Sequence, residues 1–225
     1  MKCLYCQQLI VLELTWKTLI LPERKPLCST CEESLIIIKG SRCFICSRPS
    51  ERNKCKDCLW WEHLPERDTI QFNYSVYHYN NFMKEIISRW KYRGDGALGY
   101  IFQHVFAANF GKIRSSLPKN IVAVPIPLSE PRQLERGFNQ AAMLAKFLSV
   151  RSMEILERST SEKQSKKTRN ERIQSVNPFI VEKAINKPVI LVDDIYTTGT
   201  TLRHAGKVLL EQGCPFVCAL TLIRG

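Results

Sequence analysis

The apolar positions of the 225-residue chain change their period along its length. Up to residue 62 they come in short pieces broken by turn residues, with no helical stripe long enough to make a core of its own. From Tyr74 the stretch SVYHYN alternates as a strand does, and Phe82, Ile86, Ile87 and Trp90 then recur at helical spacing up to Lys91 and Tyr92. The cluster Gly94-Asp95-Gly96 predicts a break, and a second helix is expected from Ala97 to about Ile113. NIVAVPIP predicts a buried strand ending in prolines, and Asn139 to Val150 an amphipathic helix that packs through Ala142, Leu144, Ala145 and Leu148. Residues 158 to 178 are polar and strongly basic, which predicts a mobile loop or a solvated hairpin arm. A strand at Val189 to Val192, a helix at Thr200 to Gln212 stopped by Gly213, and a strand at Phe216 to Ile223 follow. Strands alternating with helices predict an α/β fold, a parallel sheet with helices on its faces. The change of texture predicts two domains, 1–62, whose cysteine pairs read as a double zinc ribbon, and 70–225, the α/β unit.

A hydrophobic content of 44% is enough to bury a good core. No run approaches the roughly 18 apolar residues of a membrane span, and Met-Lys-Cys opens a polar stretch unlike a secretory signal, so no membrane span and a cytoplasmic address are expected. Ten cysteines are odd as disulfides in that compartment. Eight of them form the Cys-x2-Cys pairs Cys3/Cys6, Cys28/Cys31, Cys43/Cys46 and Cys55/Cys58. Such a turn offers two thiolates at the bite that Zn2+ takes, and two turns complete a closed tetrahedron, so two structural Zn2+ are expected. Sequential sets, Cys3/Cys6/Cys28/Cys31 and Cys43/Cys46/Cys55/Cys58, need the shorter loop closures, and an interleaved arrangement stays open. Cys214 and Cys218 lie in apolar sequence and read as core thiols. Two Zn2+ on eight thiolates would lower the formal charge of +12 to about +8, still basic enough to favour an anionic partner.

The run Val189 to Thr201, VILVDDIYTTGTT, carries the sharpest chemistry. In a parallel sheet, ligands sit beyond the carboxyl ends of strands, where this strand hands over to a helix. Backbone N–H groups of Thr197, Thr198, Gly199, Thr200 and Thr201 can converge there on a phosphate, with Gly199 permitting close approach and the threonine hydroxyls adding donors. Asp193 and Asp194 would repel that phosphate, but they suit sugar hydroxyls or Mg2+. A phosphate cradle beside paired acids fits a 5'-phosphorylated ribose. The run resembles the signature of type I phosphoribosyltransferases, and the resemblance implies their fold, ribose contacts at Asp193 and Asp194, and a 5'-phosphate on Thr197 to Thr201. Hypoxanthine-guanine enzymes place an Asp where this chain has Thr197, which argues against that substrate class. A diphosphate site is expected after VPIPL, near Arg132 and Arg136, where Arg136 pairs with phosphate and Gly137 and Asn139 start a helix.

Cysteine pairs, then KYRGD, then VPIPL with RGFNQ, then a Gln- and Arg-rich loop, then VDDIYTTGTT: in this order the motifs resemble the ComF (ComFC) competence protein family along essentially the whole chain. Arg158, Gln164, Arg172 and Asn177 match that family in the basic loop, which is richer in lysine here, at Lys163, Lys166 and Lys167. The resemblance implies cytoplasmic handling of incoming single-stranded DNA in natural transformation, with a ComFA-type helicase as partner and phosphoribosyl pyrophosphate with Mg2+ as ligand. The basic loop is compatible with tracking a phosphate backbone, and Trp60, Trp61, Phe72 and Tyr79 are candidates for base stacking or for packing between domains. An active phosphoribosyltransferase with an unknown acceptor is the alternative, with Arg136, Asp193, Asp194 and a loop lysine such as Lys163 or Lys167 as its catalytic groups. A ligand-sensing regulator on duplex DNA is the weakest reading, since no helix-turn-helix is evident.

Overall fold

The computed structural model describes residues 1–10, 16, 25–92, 95–159, 176–181 and 183–225. Its centre is a four-stranded sheet built from β1 (Asn73–His78), β2 (Val122–Pro125), β5 (Val189–Tyr196) and β6 (Val217–Arg224). The spatial order is β1-β6-β5-β2 and every neighbouring pair is parallel. Val189, Ile190, Leu191 and Val192 are fully buried, as a strand covered on both faces requires. The alternation of side chains sends Ile190, Val192, Cys218 and Leu220 into one apolar cluster and Val189, Leu191, Val217 and Ala219 into the other. Cys214 is also buried, within the second cluster.

Helix α3 (Asn81–Tyr92) covers the first face through Met83, Ile86, Ile87 and Trp90, the i, i+3, i+4, i+7 stripe of an amphipathic helix. Phe82, expected on that stripe, is only partly buried and packs against Tyr5 instead, ring centroids 4.7 Å apart. Where one helix was expected from Ala97, a 3-10 turn (Gly96–Phe102) precedes α4 (Gln103–Arg114). The tighter turn tucks Gly99 against Met143 and Trp90, where a Cβ would come within 2.5 Å of the Met143 sulfur. Helix α7 (Thr200–Glu211) lies on the other face through Leu202, Ala205 and Leu209. Gly206 lets it approach the Thr69 carbonyl so closely that a Cβ would sit 2.3 Å from that oxygen.

Three elements were not legible as such. Helix α5 (Glu130–Arg136) occupies what reads as loop, and Gly137, at φ 74°, ends it in the left-handed conformation. Gly137 therefore terminates one helix, and Asn139 alone starts the next, α6 (Gln140–Lys146), its side chain accepting from the N–H groups of Ala141 and Ala142. Strands β3 (Leu156–Arg158) and β4 (Phe179–Val181) pair antiparallel on either side of the basic stretch, whose expected loop or hairpin arm falls mostly on residues 160–175, outside the described residues. Lys163, Gln164, Lys166, Lys167 and Arg172 lie outside the described residues, as do Arg93 and Gly94.

The cysteine-rich segment straddles the β1 edge of the sheet. Its middle, Ile36 to Ile38, pairs antiparallel with β1 through Ile38 N–H to Val76 O and His78 N–H to Ile36 O, both 2.9 Å. At the opposite edge, Met153 N–H donates to Ala123 O at 2.8 Å, so neither edge strand is left open. The thiols assemble in the sequential sets, with the sulfurs of each set within 4.8 Å of one another. Cys3 and Cys31 join the apolar cluster on the α3 face, whereas Cys43, Cys46, Cys55 and Cys58 join the one on the α7 face. Helices α1 (Ser29–Glu33) and α2 (Lys56–Trp61) begin directly after Cys28 and Cys55 and carry the last cysteine of each set, Cys31 and Cys58.

Tetrahedral Zn2+ with bonds of about 2.3 Å has sulfur–sulfur edges of about 3.8 Å. Cys6 and Cys28 sulfurs stand 3.7 Å apart and those of Cys46 and Cys55 3.6 Å, so both sets fit that ion. All four cysteines of the second set are buried, while Cys6 and Cys28 of the first are half-exposed. Zn2+-loaded protein is expected to yield two ions per chain to a chelator in two phases, with the fast phase abolished by Cys28→Ser; a single phase would contradict the difference in burial. Cys58→Ser is expected to cost about 3 kcal/mol and lower Tm by roughly 6–12 °C in a thermal melt.

Candidate phosphate and acid site at the end of β5

The site sits where β5 leaves the sheet. Asp193 and Asp194 are its last acidic residues, and after Ile195 and Tyr196 the chain turns through Thr197, Thr198 and Gly199 into α7. Gly199 adopts φ 84°, and a Cβ there would collide with the Tyr196 hydroxyl at 2.2 Å, so the turn requires glycine on both counts. That hydroxyl is buried without a hydrogen-bond partner among the described residues. Thr198 and Thr200 share a hydroxyl–hydroxyl bond of 2.9 Å, and the Thr200 N–H reaches Thr198 Oγ1 only at 3.4 Å. The N-terminus of a 12-residue helix therefore presents donors and a partial positive charge to this turn. Thr201, half-buried, is the second residue of that helix.

The two acids differ in their surroundings. Asp194 is paired with the Lys91 ammonium, and both side chains are largely buried, at 12% and 14% exposure. Burial, and then the neighbouring Asp194 charge, push the Asp193 carboxyl up to about 7, against the pull of Lys91 and Arg158. The Asp193 carboxylate also accepts from the Asp194 N–H at 2.8 Å. Arg158, at the end of β3, feels both Asp193 and Arg132, and burial lowers its pKa.

Lys91 is the residue that sequence reasoning quoted in a motif without giving it a role. Its signal was its place one residue after Trp90. A fully buried Trp90, packed 5.7 Å from Phe102 and 6.3 Å from Phe138, fixes the rotation of α3 and so the direction of Lys91. Arg136 is not a solvated cation. It is buried at the C-terminal end of α5, donates to Gln140 Oε1 at 3.1 Å and lies 5.4 Å from the Tyr92 ring centroid. Asn139 ties this loop to the strand end by donating to Ile126 O at 3.0 Å, and Ile126 N–H in turn donates to Val192 O at 2.9 Å. Asn177 bridges the hairpin to α7 through the His204 carbonyl at 2.8 Å. Of the four aromatics considered for stacking, Trp61 is buried, Phe72 half-buried, and Trp60 and Tyr79 are exposed.

An acid whose pKa is higher in the folded than in the unfolded chain binds its proton more tightly when folded. The stability it contributes is present below its ordinary value of 3.8 and is lost as the pH rises through about 7. Asp193→Asn removes that loss, so the Tm of the variant relative to wild type is expected to climb between pH 5 and pH 8. A difference that stays constant over this range would mean that Asp193 ionises as an ordinary carboxylate.

No protein-family model matches the chain. A hypoxanthine phosphoribosyltransferase from Staphylococcus aureus overlaps 56% of this chain and 64% of its own, less than two thirds, at 17% identity and a TM-score of 0.35, too loosely to carry residue roles. Competence protein ComFC of Streptococcus pneumoniae is 32% identical over 228 residues, covering 100% of both chains. Competence protein ComFC of Bacillus subtilis is 42% identical over 229 residues, covering 99% of this chain and 94% of the relative. Identity of that depth across almost the whole of both relatives makes this chain a member of the ComFC family of competence proteins.

Proposed function

We propose that the chain handles incoming single-stranded DNA during natural transformation and that the turn after β5 binds a 5'-phosphorylated ribose, with phosphoribosyl pyrophosphate and Mg2+ as its ligand. The observation that carries this reading is the juxtaposition, at one strand end, of a helix N-terminus lined by Thr198, Gly199 and Thr200 with the acids Asp193 and Asp194. Phosphate on the helix side and sugar hydroxyls or Mg2+ on the acid side satisfy both halves without like-charge contact. In this reading Lys91 holds Asp194 in the absence of ligand and Arg136 and Arg132 supply positive charge towards the diphosphate. A role in DNA uptake agrees with the name of both relatives, and a ComFA-type helicase is the proposed partner. Among the described residues no helix is long and apolar enough to cross a membrane.

Turnover with an unknown phosphoribosyl acceptor is the second reading, favoured by Arg158 lying within electrostatic reach of Asp193 and Arg132. Diphosphate release assayed across bases, amines and DNA decides it.

The double variant Asp193→Asn, Asp194→Asn is expected to lose at least about tenfold in affinity for phosphoribosyl pyrophosphate with Mg2+ by calorimetry. Its affinity for inorganic phosphate is expected to stay within about threefold, because the helix-side donors are untouched. Transformation should fall with the first of these. Unchanged affinity for phosphoribosyl pyrophosphate would remove the acids from the site. Single-stranded DNA binding is expected at low salt and should weaken steeply between 50 and 200 mM; no binding at low salt, with or without the helicase, would sink the DNA reading.

A further inference from the structure

The carbonyls of Tyr196, Thr197 and Thr198, which lead into the turn after β5, are turned towards the cysteine-rich segment and the last strand. Arg224 Nη1 donates to Tyr196 O at 3.2 Å and to Thr197 O at 3.1 Å, and Gly225 N–H also donates to Tyr196 O, at 2.9 Å. Trp61 Nε1, at the end of α2, donates to Thr198 O at 2.9 Å across 137 residues of chain. Both donors are themselves held. The Arg203 guanidinium lies 4.5 Å from the Trp61 ring centroid and donates to Glu66 O and Arg67 O at 3.0 and 2.8 Å. Arg224 lies 4.9 Å from the Tyr196 ring centroid, and its Nη2 reaches Cys46 Sγ at 3.7 Å.

A trans peptide is planar, so the carbonyl of one residue and the N–H of the next point in opposite directions. The structure contains no cis peptide bond among the described residues. Drawing the carbonyls of Tyr196, Thr197 and Thr198 inward therefore turns the N–H groups of Thr197, Thr198 and Gly199 outward. Among the described residues, no hydrogen bond occupies those three donors. Three outward N–H groups at a helix N-terminus are what an anion needs, and they cost nothing to reorganise when it arrives.

We propose that Trp61 and Arg224 are positioning residues for the phosphate, and that the second cysteine-held unit is thereby a working part of the ligand site, whereas the first is not. The first unit is tied to α3, through Tyr5 O–H to Glu85 at 2.5 Å and Arg89 Nη1 to Tyr5 O at 2.9 Å, and none of its hydrogen bonds among the described residues reaches the turn. With four thiolates on a metal, Cys46 offers Arg224 an anionic acceptor, which joins that centre to the carbonyls of Tyr196 and Thr197 through a single guanidinium.

The inference rests on the phosphoribosyl reading, and matched single-donor deletions separate the two. Trp61→Phe keeps a ring beneath Arg203 and removes only the donor to Thr198 O; Tyr5→Phe removes one donor from the first unit. Ribose 5-phosphate is titrated calorimetrically into full-length, Zn2+-loaded wild type and each variant, with Tm recorded alongside. Trp61→Phe is expected to bind about three- to tenfold more weakly, with the Gly199 amide resonance shifted before any ligand is added, and Tyr5→Phe within twofold of wild type. Wild-type affinity in Trp61→Phe, or losses in both variants that merely follow Tm, would overturn the positioning role and leave the phosphoribosyl reading standing. A wild type that fails to bind ribose 5-phosphate would overturn both.

Discussion

Strand β5 is apolar on both faces, and the rest of the molecule follows from that constraint. Val189 to Val192 is fully buried, so each face of the sheet must be covered along its whole length. On the α3 and α4 side, Met83, Ile86, Trp90, Phe102, Phe106 and Phe110 supply most of the cover. On the α7 side, Leu202, Ala205 and Leu209 supply less, and the second cysteine set with Ile70 completes it. A segment poor in apolar residues can do this where a metal held by its four converging thiols stands in for a core.

Covering the sheet this way also shapes its carboxyl end. The first cysteine unit grips α3 through Tyr5, Glu85 and Arg89, and the last turn of α3 delivers Lys91 to Asp194. The second unit reaches the turn after β5 directly, through Trp61 and through Arg224 beside Cys46. The phosphate side of the site is thus braced by the second unit, while Lys91 on the acid side is aimed by the packing of Trp90 beneath α3. The carbonyls of the turn after β5 are held by contacts that the sheet alone does not provide.

Much of this was legible in the sequence where the information is contiguous. VILVDDIYTTGTT spells out a doubly covered strand, two acids and the turn into a helix within thirteen residues, and the Cys-x2-Cys spacing fixes each sulfur pair locally. The contacts that aim the site join residues far apart in the chain, and no local period encodes them: Trp61 with Thr198, Arg224 with Cys46, Lys91 with Asp194. Trp61 read equally well as a stacking or a packing residue, because an indole serves both and its N–H partner is a backbone carbonyl, invisible in composition. The 3-10 turn at Gly96–Phe102 was missed because its apolar spacing is also that of a helix, and only the close approach of Gly99 to Met143 distinguishes the two. Gly137, expected to start a helix together with Asn139, instead ends α5, because its left-handed conformation marks a helix end and composition alone does not tell the two apart.

Every role proposed for the site requires that the turn after β5 receive a 5'-phosphate. Backbone amide resonances followed during titration with ribose 5-phosphate test this most directly, because each donor reports separately. The largest changes are expected at Thr197, Thr198, Gly199 and Thr200, with smaller ones at Asp193 and Asp194 and at the Trp61 indole. Changes confined to other loops, or none at saturating ligand, would contradict it.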